Sequence, residues 1–119
     1  MLKIYENDNS NYSEYRKLIN RIADDIKSGV NANLSKNIKN TFKKYGGEVN
    51  VIKSSPKYLM YNGYIFCDAR NGKYAISGSV SLDNLNQDVN KLAEDIAYVQ
   101  YLNDGGKDVG IPMFLDILY

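Results

Sequence analysis

Asp68, Arg70 and Lys73 stand within six positions of one another, a carboxylate beside two cations. That set can support nuclease-like acid–base chemistry, but the spacing matches no metal-nuclease motif, and a cross-strand ion pair accounts for the same residues. The rest of the chain is thinly supplied for catalysis. It has no histidine and one cysteine, Cys67, so it offers no His-activated nucleophile, no His-containing zinc site and no thiolate cluster. Asp24-Asp25 is an acidic doublet, yet neighbours on a helix diverge by about 100°, which reads as a solvated helix edge. The doublets Gly46-Gly47 and Gly105-Gly106 lack the Gly-Lys-Ser/Thr start of a phosphate loop, and each follows a helical stretch instead of opening one. "DGGKD" at 104–108 lacks the ligand count of a calcium loop. The expectation is a non-enzymatic chain with no catalytic residues, no metal and no cofactor.

Binding chemistry is better represented. Leu59, Tyr61, Tyr64 and Phe66, rimmed by Arg70 and Lys73, combine aromatic area with charge, the composition that protein-binding surfaces enrich. A second set, Lys36, Lys39, Lys43 and Lys44, can neutralise a polyanion. Whether either set forms a surface depends on the elements that carry it.

The spacing of Tyr15, Leu18, Ile19, Ile22, Ala23 and Ile26 predicts a helix over 12–28, capped by Ser10 or Asn11 and ended by Gly29. Leu2 and Ile4 before it alternate like a short edge strand. Leu34, Ile38, Phe42 and Tyr45 predict a second helix over 34–45, with the lysines on its opposite side. Asn62-Gly63 and Asn71-Gly72 are strong two-residue hairpin signals. They predict strands at 57–61, 64–70 and 73–80, with Ser54-Ser55-Pro56 turning in an earlier strand at 48–53. Two-residue turns would pair Tyr61 with Tyr64 and Arg70 with Lys73. Alternation then puts Tyr58, Met60, Ile65, Cys67, Ala69, Tyr74, Ile76 and Val80 on a core face. The Leu59–Tyr61–Tyr64–Phe66 patch falls on the other. A longer turn would flip the sorting of its strand.

Leu85, Val89, Leu92, Ala93, Ile96, Val99 and Leu102 predict a long helix over 84–102, packed on the core face. "IPMFLDILY" at 111–119 is apolar enough to require burial in the core or in a homodimer seam, as a short helix or a last strand. The fold class expected is α+β: a four-stranded antiparallel meander, two N-terminal helices and one long helix on the sheet, all in a single domain, 1–119.

Length and composition fit one globular unit of 119 residues. No apolar run is long enough to span a membrane, the N-terminus has no signal-peptide core, and the single cysteine suits a reducing, cytoplasmic setting. Fifteen asparagines, eleven tyrosines and a preference for lysine over arginine suit a low-GC bacterial or phage coding sequence, so a phage-encoded product would work in the host cytoplasm. The net charge of +1 hides a division. Residues 1–60 carry eleven Lys and Arg against six Asp and Glu, and residues 61–119 carry four against eight.

The leading expectation is a small protein-interaction module or inhibitor of phage or mobile-element type, such as a counter-defence inhibitor. The alternative is a nucleic-acid-binding domain using the lysine helix and the tyrosine-bearing sheet. Its helix–sheet–helix order resembles that of double-stranded-RNA-binding domains, although "LDNLNQDVNK" has one lysine where those domains start their last helix with a basic segment. A second alternative is a virion assembly subunit: "AYVQYLNDGGKDVGIPMFLDIL" is similar to the closing segment of phage head–tail joining proteins, while the Asp-Thr-Gly run of that family is missing.

Overall fold

The computed structural model describes residues 2–29, 33–55 and 57–119, and only the backbone of residues 2–11 and 53. Its elements are α1 (Leu2–Lys27), α2 (Leu34–Lys44), β1 (Gly47–Ser54), β2 (Tyr58–Cys67), β3 (Gly72–Ser81), α3 (Leu85–Asn103) and α4 (Ile111–Leu118). Single 3-10 turns lie at Asp68–Arg70 and Leu82–Asn84. The class is α+β.

Helix α1 absorbs the expected N-terminal strand and runs past Ser10 and Asn11 without a cap. No glycine or proline interrupts residues 2–27, so nothing in the backbone stops the helix until Gly29, which takes φ +96°. Ile19, Ile22, Ala23 and Ile26 form its buried stripe. Asn33 caps α2 by accepting the Lys36 N–H at 3.0 Å. Asn37 then donates to the Ile26 and Ser28 carbonyls, which satisfies the end of α1 and fixes the two helices together.

Among the described residues the sheet has three strands, in the antiparallel order β1-β2-β3, where four were expected. Asn62-Gly63 is not a turn. It lies in the middle of β2, with Asn62 between Asn50 and Ser77 and Gly63 between Val49 and Ile76. Gly63 is needed there for space. A Cβ on it would stand 2.6 Å from the Glu48 carbonyl, 2.8 Å from Phe42 Cε2 and 2.8 Å from Val49 Cβ, so the glycine admits α2 against the sheet. Asn71-Gly72 does sit at a reversal, but a longer one. Asp68–Arg70 make a 3-10 turn, Asn71 follows in the left-handed region at φ 52°, and pairing starts at Cys67 with Gly72.

These two differences re-sort the faces. Because β2 is continuous, Leu59 and Tyr61 join Ile65 and Cys67 on the inner, buried face, opposite Ile76 and Val80. Tyr58 and Met60, expected inside, point outward with Tyr64 and Phe66, and Ala69 is exposed in the turn. The placements of Ile65, Cys67, Tyr74, Ile76, Val80, Tyr64 and Phe66 survive, since neither change alters their parity.

Helices α2 and α3 cover the inner face, and α1 packs across both. Enclosed by the sheet, α1 and α4, α3 buries Val89, Leu92, Ala93, Ile96, Ala97, Tyr98, Val99, Tyr101 and Leu102, far more than one stripe. The C-terminal segment is a helix with Pro112 in its first turn, and Phe114 and Leu118 close the core beside α1 and α3.

Candidate functional site

Leu59 and Tyr61, expected in an exposed patch, are each 4% exposed. The Tyr61 ring meets Phe42 edge-on at 6.4 Å, and its hydroxyl lies over Gly78, where a Cβ would stand 2.9 Å away. Burial pushes its phenol well above the usual tyrosine range, with Asp95 adding to the shift. Both residues are core, not partner-binding surface.

Tyr64, Phe66 and Lys73 remain on the outer face, joined by Met60, which the expected turn had hidden. No described element covers this face: Phe66 is 52% and Met60 40% exposed, and Ala75, Ser77 and Ser79 are open to solvent. Ile52, at the β1 bulge between Val51 and Lys53, is 62% exposed. The Tyr64 hydroxyl donates to Glu48 Oε2 at 2.9 Å, and the Lys73 ammonium lies 4.4 Å from the Tyr64 ring centre. That carboxylate keeps the Tyr64 phenol raised. Tyr64 is therefore held by charge at its hydroxyl and over its ring, while among the described residues no ring or cation engages Phe66 beside it.

The α2 lysines are exposed, as the stripe predicts. Lys44 pairs with Asp25 at 3.5 Å, whereas among the described residues Lys36, Lys39 and Lys43 have no carboxylate within ion-pair distance. Between α2 and the sheet lies a groove of about 330 Å³, with Lys39 and Lys43 on one wall and Glu48, Asn50, Asn62 and Tyr64 on the other. Those last four residues belong to the outer face by strand parity. The basic groove and the apolar face are thus one continuous surface around the β1 edge.

Arg70 lies apart from this surface. Its Nη2 reaches Asp108 Oδ2 at 2.7 Å and its guanidinium sits 4.8 Å from the Tyr74 ring centre, so it pairs with Asp108 and not across the strands. Asp108 also accepts from the Tyr98 hydroxyl, which in turn accepts the Gly110 N–H at 2.9 Å. The Tyr98 hydrogen bond holds the Asp108 carboxyl below its ordinary range, while burial raises the Tyr98 phenol to about 12. This network ties the β2–β3 turn to the segment leading into α4. Around it, Tyr98, Tyr101, Phe114 and Tyr15 form a ring cluster with centroids 4.7–5.9 Å apart. Tyr15 donates to Asp104 and Tyr101 to the Lys107 carbonyl. Tyr15, Tyr98 and Tyr101 are therefore internal cement with satisfied hydroxyls.

The residues first considered for chemistry are not assembled. Asp68 is exposed in the turn, where its N–H is held by Asn103; Arg70 faces Asp108; Lys73 covers Tyr64; and Cys67 is buried. Among the described residues no three Cys, Asp or Glu side chains are grouped to hold a metal ion, and no helix is long and apolar enough to cross a membrane. Compared with models of known families, with curated proteins and with solved structures, the chain matches none.

Proposed function

We propose that this chain is a non-enzymatic protein-binding module whose contact surface is the outer face of the sheet. One observation carries the reading: a three-stranded sheet has all its helices on one side and presents Met60, Phe66 and Tyr64 uncovered on the other. Exposed apolar side chains gathered on one rigid face, with Lys73 and Glu48 at their rim, are the anatomy of a docking patch. The Asn-, Tyr- and Lys-rich composition supports a phage or mobile-element source, for which a small inhibitor is the natural class. A virion subunit would use the same face to join its neighbours.

The α2 lysines favour nucleic acid as a second reading, since three ammoniums with no carboxylate partner among the described residues suit a phosphate chain. It ranks lower for two reasons. Stacking needs open aromatic faces, and Lys73 already covers one face of Tyr64. Glu48 also stands in the groove that a phosphate backbone would enter.

The test is affinity capture from a low-GC bacterial lysate, with and without nuclease, followed by mass spectrometry. A stoichiometric protein that survives nuclease and is lost with Phe66→Ala is the expected result. Capture that disappears with nuclease would replace this reading with the second.

A further inference from the structure

The groove beside α2 opens onto a strand edge, and that edge has unused hydrogen-bonding capacity. Among the described residues β1 pairs with β2 alone, so its far side is open. The Gly46 carbonyl accepts the Phe66 N–H at 3.1 Å, and hydrogen-bonded pairs alternate along an antiparallel ladder. Glu48 and Asn50 therefore turn their backbone groups toward β2. Gly47, Val49 and Val51 turn theirs to the open edge, as far as the bulge that follows Val51. A free edge of this kind is a template for another strand.

On its α2 side the edge is flanked by positive charge. Lys39 and Lys43 lie one helical turn apart, about 6 Å along the axis at 1.5 Å per residue. Alternate side chains of an extended strand repeat at about 7 Å. Two successive same-face acids thus match two ammoniums that have no carboxylate partner among the described residues. On the opposite face of the edge stands Glu48, with Asn50 beside it, so a partner strand cannot be acidic where it faces outward, and uncharged residues suffice there.

Resting on the reading that the partner is a protein, we propose that it adds an extended segment to the β1 edge as a fourth strand. Acidic residues at every second position of that segment face α2, and uncharged residues alternate with them. Backbone hydrogen bonds to Gly47, Val49 and Val51 supply the pairing, and Lys39 and Lys43 set the side-chain preference.

The experiment is an amide-resolved NMR titration of the intact chain with a short peptide alternating Glu and Thr. Two N-methylated forms, one methylated at each Glu and one at each Thr, and an oligothymidylate serve as comparison probes. The plain peptide should shift the amides of Gly47, Val49 and Val51. Only one N-methylated form should lose binding, because only one set of peptide N–H groups can face β1. Lys39→Glu with Lys43→Glu should weaken the peptide about tenfold or more, and added salt should weaken it further. Shifts confined to Met60, Tyr64 and Phe66 would overturn strand addition while leaving the protein-binding reading intact. An oligothymidylate that occupies the lysines and excludes the peptide would overturn both. The absence of any shift at millimolar peptide, or equal loss with both methylated forms, refutes the proposal.

Discussion

Two identical dipeptides in this chain should respond to mutation in opposite ways. Asn62-Gly63 runs through the centre of β2, whereas Asn71-Gly72 completes a reversal. At position 62 the side chain is exposed on an extended strand, where asparagine is a poor choice and threonine a good one. Asn62→Thr should leave stability unchanged or raise it by up to about 1 kcal/mol. At position 71 the backbone sits at φ 52°, which asparagine tolerates and a β-branched residue does not. Asn71→Thr should cost about 1–2 kcal/mol. The glycines reverse the order. Gly63→Ala would drive a Cβ to 2.6 Å from a backbone carbonyl, at a cost of about 1–3 kcal/mol or more, while the nearest atom to a Cβ on Gly72 is 3.8 Å away. With no tryptophan to report, unfolding is followed by far-ultraviolet circular dichroism under heat and urea. At roughly 4 °C per kcal/mol for a chain of this size, the two threonine variants should differ by about 4–12 °C in Tm. Equal losses at Asn62 and Asn71, with Gly63→Ala tolerated, would show that β2 is broken at 62–63.

Leu59→Ala should cost about 2–5 kcal/mol and Met60→Ala less than about 1, because the first is core and the second surface; equilibrium urea unfolding decides between them. The depressed Asp108 carboxyl contributes stability that is present above its unfolded value and lost as pH falls through its folded one, so Asp108→Asn should flatten the acid limb of the stability–pH curve. Burial raises Asp95, which reverses the sign: its favourable contribution is full below the unfolded value and is lost as pH rises through the folded one. Asp95→Asn should therefore be no less stable than the parent at neutral pH. Native Cys67 should react with thiol reagents only as fast as the protein opens, and labelling at the rate of a free thiol would place it at the surface.

The helical half of the fold was legible in the sequence, because α2 and α3 carry unbroken apolar stripes and each ends at a glycine. The start of α1 was not, since Leu2 and Ile4 alternate like a strand, the ENDNSN run after them carries no apolar period, and only the absence of a breaker extends the helix. In the sheet, two signals conflicted at residues 59–67. Leu59, Tyr61, Ile65 and Cys67 keep one period-two series across Gly63, which is what a continuous strand shows. Asn-Gly argued for a turn, and packing against Phe42 decided for the strand. That single choice moved Leu59 and Tyr61 inward and brought Met60 out. It divided the expected patch but left Tyr64, Phe66 and Lys73 together. The groove was half visible: the lysine stripe marked one wall, but Asn50 and Asn62 meet only because β1 pairs along an unbroken β2. Arg70–Asp108 spans 38 positions and depends on where two loops meet, which no local pattern encodes.

The most direct measurement is the affinity of the nuclease-resistant partner for the parent chain, for Met60→Ala with Phe66→Ala, and for the triple lysine variant at positions 36, 39 and 43, each over a range of salt. Docking on the outer sheet face predicts a loss of about 2 kcal/mol or more, roughly thirtyfold, for the apolar pair. The lysine variant should lose less and mainly through its on-rate. Contradiction would be an apolar variant that binds like the parent while the lysine variant does not bind at all. A steep loss of affinity with added salt would then move the docking site from the sheet face to the α2 groove.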